Sequence, residues 1–248
     1  MSERTIEITE PVRANVSVII TCYNLEKYLG EAVESVKAQT VCPQEIIVVH
    51  DGCDKPTMHD GTHTVFRQVN LGVAKTRDEG VRIASQPNLL FLDADDVIPE
   101  TYLQEMVSTL QQGADIAYPD ILMWSRWGES GFPNVWHGVR KNLTLKSLLR
   151  MNEVVVSSLM KRKVYDKIGG FDPTMRVFED WDFWIRAMVR GFRFAKANTF
   201  LKYRQRTGGR NRQSDDLKRQ VHREVNARYA RFLPGAHKER RPSHLEKR

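Results

Sequence analysis

Three short runs of aliphatic and β-branched residues, separated by segments of helical periodicity, constrain the fold of this chain more than any other feature. The runs are VSVIIT (16–21), EIIVV (45–49) and LLFLDADD (89–96). Each has the composition of a buried strand, and the apolar residues between the first two recur on one helical face. Strand, helix and strand in this order predict parallel βαβ units, so about the first 125 residues read as a Rossmann-like α/β half.

The helical period of about 3.6 residues and the strand period of two predict the remaining elements. Helices are predicted over 28–40, 73–86, 101–112, 143–151, 163–170, 179–192 and 215–232. Strands are predicted over 64–69, 115–124 and 154–162, and a strand or hairpin over 194–206. The stretch 125–142 is rich in Gly, Pro and aromatic residues and is predicted to be an irregular loop.

Composition narrows the class of protein. The chain has 248 residues, 41% of them hydrophobic, which is enough for one large domain with a substantial core. No apolar run approaches the roughly 18–20 residues that cross a bilayer, and the N-terminus lacks the pattern of a signal peptide. Cys22, Cys42 and Cys53 form no C-x-x-C pair, which predicts free thiols rather than a disulfide framework or a zinc site. We therefore expect a cytoplasmic protein, with peripheral attachment to a membrane left open.

Acidic residues follow the predicted strands. Asp51 comes directly after the second run, and Asp93 and Asp95 end the third. In an extended segment Asp93 and Asp95 point the same way, about 6–7 Å apart, which suits a hard divalent cation. A further pair, Glu179-Asp180, opens a predicted helix, where acids also serve as ordinary caps. Because ligands of open α/β sheets bind beyond the carboxyl ends of the strands, these acids have a shared reason to converge.

A set of segments in this order resembles the motifs of family-2 glycosyltransferases with the GT-A fold. The resemblance runs from about residue 16 to 210. The segments are VSVIITCYN (16–24), EIIVVHDGC (45–53), NLGVAKTRDEG (70–80), FLDADD (91–96), SSLMKRKVYDKIGGFD (157–172), EDWDFWIRAMVRG (179–191) and YRQRTGG (203–209). Each string is weak alone, and the family resemblance rests on their order and spacing.

The resemblance implies a site for a nucleotide-diphosphate sugar, with a UDP-sugar as the expected donor. Thr21 and Tyr23 would line the nucleotide pocket, Asp51 would bind the base edge, and Arg77 would hold the base or the diphosphate. The residues implied to bind the donor are Thr21, Tyr23, Asp51, Arg77, Asp93, Asp96 and Arg206. Asp95, together with Asp93, would hold Mn²⁺ or Mg²⁺ against the leaving diphosphate.

The resemblance also implies the catalytic group. Asp180 would take the proton of an acceptor hydroxyl while that oxygen displaces the diphosphate, and a single displacement inverts the anomeric configuration. Glu179 and Trp181 would lie on the acceptor side, with packing in the core as the alternative for Trp181. Arg206 stands where family members often have a histidine; an arginine cannot ligate a metal, but it can grip a phosphate.

The implied organisation is a GT-A-type mixed sheet flanked by helices over 1–210, followed by a basic helical extension and tail over 211–248. The first part divides into a donor half (16–125) and an acceptor half (126–210). The net charge of +7 gathers late in the chain and suggests an anionic acceptor, such as a glycan, a lipid-linked glycan or modified nucleic acid. A nucleic-acid-binding module and a nucleotidyltransferase are the alternatives, although TCYNLEKYLG (21–30) lacks the Gly-rich phosphate loop of the latter.

Overall fold

The computed structural model describes residues 12–67, 69–125, 134–175, 177–206 and 215–233. Strands and helices alternate through the first half of the chain. The strands are β1 (Arg13–Cys22), β2 (Cys42–Asp51), β3 (His63–Arg67), β4 (Asn88–Asp93), β5 (Ile116–Trp124), β6 (Val135–His137), β7 (Leu159–Lys161) and β8 (Phe194–Arg204). The helices are α1 (Glu26–Lys37), α2 (Val73–Ile83), α3 (Tyr102–Gln111), α4 (Leu145–Arg150), α5 (Arg162–Ile168), α6 (Glu179–Val189) and α7 (Asp215–Tyr229).

The strands form one mixed sheet in the order β3-β2-β1-β4-β7-β5-β6, with β8 paired to β5. β1 lies parallel to β2, to which α1 joins it as a crossover helix, and it also lies parallel to β4. β3 lies parallel to β2, although no helix separates these two strands in the chain. β7 runs antiparallel to both β4 and β5. The prediction of a mixed α/β sheet flanked by helices is confirmed, and the carboxyl ends of β1, β2 and β4 meet at one edge.

Helices cover both faces of the sheet and create two core layers. Val18 and Ile20 of β1 pack with α1 and α3 on one face. Ile19, whose side chain points the other way, packs with α2 and with α4 to α7. Because the central strands are buried on both faces, they read in sequence as continuous aliphatic runs rather than as an alternating pattern.

The structure differs from the sequence-based prediction in two segments. The strand predicted over 154–162 is reduced to the three residues of β7, since the Ser158 amide turns back to the Val155 carbonyl (3.2 Å). The predicted loop 125–142 contains β6, which pairs with β5, whereas residues 126–133 lie outside the described residues. The segment predicted as a strand or hairpin forms the single strand β8.

The helix α7 belongs to the main hydrophobic core. Its Val221, Val225 and Tyr229 are buried in the layer that also contains α4 and α6. The Tyr229 hydroxyl donates to Asp182 Oδ1 of α6 at 2.6 Å. The domain boundary predicted at residue 210 and the basic tail after residue 233 lie outside the described residues and stay predictions. Within the described part of the chain, no helix is both long and apolar enough to cross a membrane.

Candidate active site

Asp93 ends β4 at the centre of the sheet edge. It is the register partner of Thr21 at the end of β1, and the Thr21 hydroxyl donates to Asp93 Oδ1 at 3.2 Å. The same oxygen accepts a hydrogen bond from Arg77 at 3.1 Å. The Asp93 side chain keeps 26% of its surface exposed. Thr21 and Arg77 therefore fix the Asp93 carboxylate, and its remaining exposed surface can still reach a ligand.

Arg77 joins three elements beneath this carboxylate. Its side chain is 2% exposed, and its two terminal nitrogens bind Asp93 of β4 and Glu179 of α6, the second at 2.8 Å. The guanidinium also lies 5.1 Å from the centre of the Phe171 ring. Gly80 allows α2 to approach this closely, because a Cβ there would overlap the side chain of Ile19 on β1.

This arrangement differs from the predicted role of Arg77. A side chain that is 2% exposed and bridges two carboxylates is not free to bind a base or a diphosphate. Glu179 likewise lies inside the protein, with 8% of its side chain exposed, rather than on an acceptor surface. The two residues instead link the Asp93 carboxylate to the first turn of α6, where Asp180 follows Glu179.

Asp180 occupies the first turn of α6. Its Oδ2 accepts a hydrogen bond from the Asn152 side chain at 3.0 Å, and its Oδ1 accepts one from the Trp181 amide at 2.8 Å. Burial and the neighbouring Glu179 charge raise the pKa of Asp180 to about 6, although Arg77 and Asn152 oppose the shift. A carboxylate with this pKa is ionised at neutral pH and still basic enough to accept a proton.

The backbone just before Asp180 is strained. Phe178 precedes α6 with φ at 62° in the left-handed region, which a bulky L-residue seldom adopts. Such strain persists only where the surroundings hold it, and it commonly marks a functional site. Because α6 begins directly after this left-handed residue, Glu179 and Asp180 lie in its first turn. The helix dipole places partial positive charge there, which favours carboxylates.

Asp95 and Arg206 form an ion pair at the same edge of the sheet as Asp93, and both side chains are partly exposed. Arg206 Nε binds Asp95 Oδ2, and the two side chains are 25% and 12% exposed, respectively. Burial and the charge of Asp93 raise the pKa of Asp95, so negative charge is concentrated here. Arg206 therefore places a positive charge directly beside this carboxylate.

Asp96 has a different environment from its two neighbours. It is 2% exposed, and its Oδ1 accepts the backbone N–H of Arg204 at 2.9 Å. Burial raises the pKa of Asp96 well above its usual value, and the charges of Asp95 and Asp93 add to the shift. The structure thus uses Asp96 to join the loop after β4 to the end of β8, rather than to present an open carboxylate to a donor.

The predicted nucleotide-binding residues separate into exposed and buried ones. Tyr23 is 51% exposed. Asp51 is 3% exposed, and its two oxygens accept the backbone N–H groups of Leu71 and Gly72 at 3.0 Å each. Asp51 therefore holds the turn that leads into α2, and its predicted contact with a base edge stays a prediction.

Trp181 lies in the core, the alternative that the sequence left open. Its side chain is 1% exposed, it donates from Nε1 to the Leu148 carbonyl at 2.5 Å, and its ring packs against His222 of α7. Because only 1% of Trp181 is exposed, neither face of its indole ring is available to stack on an acceptor sugar. The prediction that Trp181 is an acceptor contact is therefore corrected.

Two contributors to the site had no clear signal in the sequence. Asn152, which binds Asp180, lies in the connection after α4, and nothing in its local pattern distinguishes it. Arg204 is 2% exposed between the rings of Tyr28 and Trp124, and it donates from Nε to the Asp95 carbonyl at 2.9 Å. Arg204 stands in the segment YRQRTGG, two positions before Arg206, the arginine that the family resemblance implies as a diphosphate contact.

The carboxylates at this edge fit a hard divalent cation. Asp93 and Asp95 offer oxygen donors, the atoms that Mg²⁺ and Mn²⁺ prefer. Each of these two side chains is partly exposed, and burial together with the charge of Asp93 raises the pKa of Asp95. A cation between them would relieve that repulsion.

Comparison with known proteins assigns the chain to a family of enzymes. The profile of Glycosyl transferase family 2 matches residues 17–180. The uncharacterized glycosyltransferase YwdF of Bacillus subtilis (strain 168) is 26% identical over 181 residues, which cover 69% of this chain and 67% of that protein. An uncharacterized glycosyltransferase of Haemophilus influenzae is 26% identical over 196 residues, covering 75% and 67% of the two chains.

Solved structures agree on the fold. S. aureus TarS 1-349, crystallised in complex with UDP-GlcNAc, superimposes with a TM-score of 0.70 at 21% identity, over 90% of this chain and 69% of that chain. The fold and its acid-lined sheet edge define a GT-A-type α/β enzyme. The chain belongs to Glycosyl transferase family 2, and it is a glycosyltransferase, which decides against a nucleotidyltransferase or a simple nucleic-acid-binding module.

Proposed function

We propose that this enzyme transfers one sugar from a nucleotide-diphosphate donor to an acceptor hydroxyl, with inversion at the anomeric carbon. The observation that carries the proposal is Asp180, a half-buried carboxylate whose pKa is raised to about 6. It is joined to the open carboxylate of Asp93 through Glu179 and Arg77. The proposed base, Asp180, and the proposed donor-side carboxylate, Asp93, are thus connected through one set of ion pairs.

In the reaction, Asp180 accepts the proton of the acceptor hydroxyl as that oxygen attacks the anomeric carbon. The new carbon–oxygen bond forms on one face of the sugar while the bond to the diphosphate breaks on the other. The nucleoside diphosphate leaves with the bonding electron pair, so no covalent sugar–enzyme intermediate is needed. Asn152 keeps the base oriented through its 3.0 Å hydrogen bond.

Asp93 and Asp95 would hold Mn²⁺ or Mg²⁺, and a cation bound there supplies Lewis-acid stabilisation of the leaving diphosphate. Thr21 and Arg77 fix the Asp93 carboxylate for this purpose. Arg206 adds a positive charge beside Asp95 and would contact the diphosphate, since a guanidinium matches phosphate geometry. Tyr23 would flank the nucleoside at the exposed end of β1.

A UDP-sugar is the proposed donor. Support comes from the fold shared with TarS 1-349, whose complexes contain UDP and UDP-GlcNAc. The acceptor is proposed to be anionic, because the chain carries a net charge of +7. Glycan, lipid-linked glycan and modified nucleic acid all remain members of that class. The proposed site of action is the cytoplasm, including peripheral sites at its membrane.

A thermal-shift panel of UDP-, GDP-, ADP- and CMP-sugars, with Mn²⁺, Mg²⁺ or EDTA, tests the donor assignment. A ligand at roughly one hundred times its dissociation constant stabilises the folded state by about 2.7 kcal/mol, so the right donor raises Tm clearly. We expect a UDP-sugar to give the largest rise, with metal present. Equal Tm values for every donor, with and without metal, would contradict the proposal.

A further inference from the structure

A second cluster of ligating side chains lies on the opposite face of the sheet from Asp93. Cys22 ends β1 and is the register partner of His50 on β2, so their side chains lie next to each other on one face. Glu26 opens α1, and Cys53 follows β2 by two residues. One ligand atom from each of these four residues lies within 4.8 Å of all the others.

The histidine of this cluster is oriented for ligation. His50 is fully buried, and its Nε2 lies 2.9 Å from the Thr57 carbonyl oxygen. A carbonyl can only accept, so Nε2 carries the hydrogen, and the lone pair of a neutral ring is on Nδ1. Nδ1 lies 3.3 Å from Cys53 Sγ. A backbone carbonyl that fixes the tautomer of a ligating histidine is the usual support around protein metal sites.

The separations match those of a tetrahedral centre. With metal–sulfur bonds of about 2.3 Å and a metal–nitrogen bond of about 2.0 Å, two sulfurs lie about 3.8 Å apart and a sulfur and a nitrogen about 3.5 Å apart. Cys22 Sγ and Cys53 Sγ are 3.9 Å apart, and Cys53 Sγ is 3.3 Å from His50 Nδ1. Both values fall within about 0.2 Å of the expected ones.

The fourth group is an acid with an unsatisfied oxygen. Oε1 of Glu26 is buried and accepts no hydrogen bond of normal geometry from a described residue. The Glu26 carboxylate interacts with the Cys53 thiol, another member of the cluster. A buried carboxylate oxygen without a donor is costly unless a cation meets it. The cluster thus offers two sulfurs, one imidazole nitrogen and one carboxylate oxygen around a common centre.

We propose that Cys22, Glu26, His50 and Cys53 bind one Zn²⁺ ion. Two thiolates and an imidazole favour a borderline-soft ion of this kind over Mg²⁺ or Mn²⁺, and four protein ligands make a closed, structural site. Binding releases the two thiol protons, since the thiolate is the ligand. The ion joins the end of β1, the start of α1 and the loop after β2. It braces the segments that carry Tyr23 and Asp51, and it is separate from the cation at Asp93 and Asp95.

Cobalt substitution of the full chain tests this site. The reduced protein, freed of metal, is titrated with Co²⁺, and zinc content is measured separately on the protein as purified. We expect one equivalent of Co²⁺ to give an ultraviolet sulfur-to-metal charge-transfer band together with the intense visible bands of tetrahedral coordination. Zn²⁺ should displace the Co²⁺ and raise Tm.

Variants assign the ligands. Cys53→Ser should remove the charge-transfer intensity of that sulfur and weaken Zn²⁺ binding by at least about ten-fold, a loss that even supporting residues of metal sites can cause. Glu26→Gln, a milder change, should keep the sulfur band and weaken binding. Cys42→Ser is the matched control, because Cys42 lies outside the cluster and its thiol donates to the Gln39 carbonyl instead. It should behave as the unmodified chain does.

Three results would overturn the proposal. One is the absence of a sulfur-to-metal band in the reduced unmodified chain. Another is weak, octahedral-type Co²⁺ absorption that disappears in Asp95→Ala, which would place the only bound metal at the donor site. The last is a Cys22–Cys53 disulfide, detected by mass before reduction, in a chain whose reduced form takes up no metal. That result would identify the two sulfurs as a redox pair.

Discussion

At the scale of single residues, Asp180 is the proposed general base, and its amide analogue separates catalysis from binding. Asp180→Asn keeps the shape of the side chain but cannot accept a proton. We expect turnover to fall by roughly 10² to 10⁴, the usual contribution of a general base, with donor affinity nearly unchanged. Asp166→Asn is the matched control, because it removes the same charge at an exposed position of α5. Loss of donor binding with normal turnover per bound donor would make Asp180 a binding residue instead.

The pKa of Asp180 predicts the acid side of the pH profile. The base must be ionised, so kcat/KM of the free enzyme should rise with pH through about 6 and then level off. Asn152 donates to the charged form and lowers that pKa. Asn152→Ala should therefore move the rise to higher pH by roughly one unit, the value of a hydrogen bond to a charged group. An unshifted profile would mean that the observed ionisation belongs to another group.

Asp95 is the residue that best tests the donor-side cation. Its carboxylate is partly exposed and binds Arg206 at the surface of the site, away from both core layers. Asp95→Ala should abolish activity and the metal-dependent part of donor binding, while far-UV circular dichroism and Tm change little. Donor binding is measured by calorimetry with Mn²⁺ and with EDTA. A variant that remains fully active in EDTA contradicts the metal assignment.

At the scale of elements, Arg77 connects α2, β4 and α6 through a buried ion pair with Glu179 and a partly buried one with Asp93. Removing one partner of a buried pair leaves uncompensated charge, which costs about 3–5 kcal/mol. Arg77→Met keeps much of the side-chain volume and leaves Asp93 and Glu179 without this cation. We expect a loss of stability of that size in urea unfolding, with activity lost as Asp93 shifts.

Arg82→Met in the same helix is the control for this change. Arg82 is 69% exposed at the side chain and pairs with Glu79 on the surface, where ion pairs contribute little. Its urea midpoint should match that of the unmodified chain. Equal midpoints for both variants would show that the Arg77 bridge does not stabilise the fold.

Which elements could be predicted from sequence depends on where their contacts lie. The strands β1, β2 and β4 are buried on both faces, so composition alone revealed them. β6 has three exposed residues and exists through pairing with β5, a contact that no local pattern encodes. The predicted strand 154–162 failed for the same reason, since only three of its residues find partners on β4 and β5.

The same distinction applies to the site. The acids were visible because they follow strands or open a helix, yet their individual roles depend on partners far along the chain. Glu179 is 102 positions from Arg77, and Asp96 is 108 from Arg204. The ligands of the proposed zinc site are spaced over residues 22, 26, 50 and 53, so they form no recognisable motif until β1 and β2 pair in register.

At the scale of the whole molecule, the basic residues near the C-terminus differ in whether the described structure gives them acidic partners. Several basic residues of α7 already have partners, such as Arg228 with Asp182 at 3.2 Å and Arg219 with Asp216 at 2.7 Å. Residues 234–248, which lie outside the described residues, hold five Lys or Arg and two Glu. The charge most available for a polyanionic acceptor is therefore expected in this terminal segment.

Deleting residues 234–248 tests whether this segment docks an anionic acceptor. Each phosphate contact that is lost should reduce the slope of log affinity against log salt by about 0.7–0.9, because fewer counterions are released on binding. Donor hydrolysis should stay unchanged, since the donor site is built from residues before 210. A full-length variant with the five basic residues changed to Gln separates charge from length, and it should reproduce the deletion. If the acceptor KM and its salt dependence are unaltered in both variants, the segment has no part in acceptor binding, and the attraction must come from the folded surface.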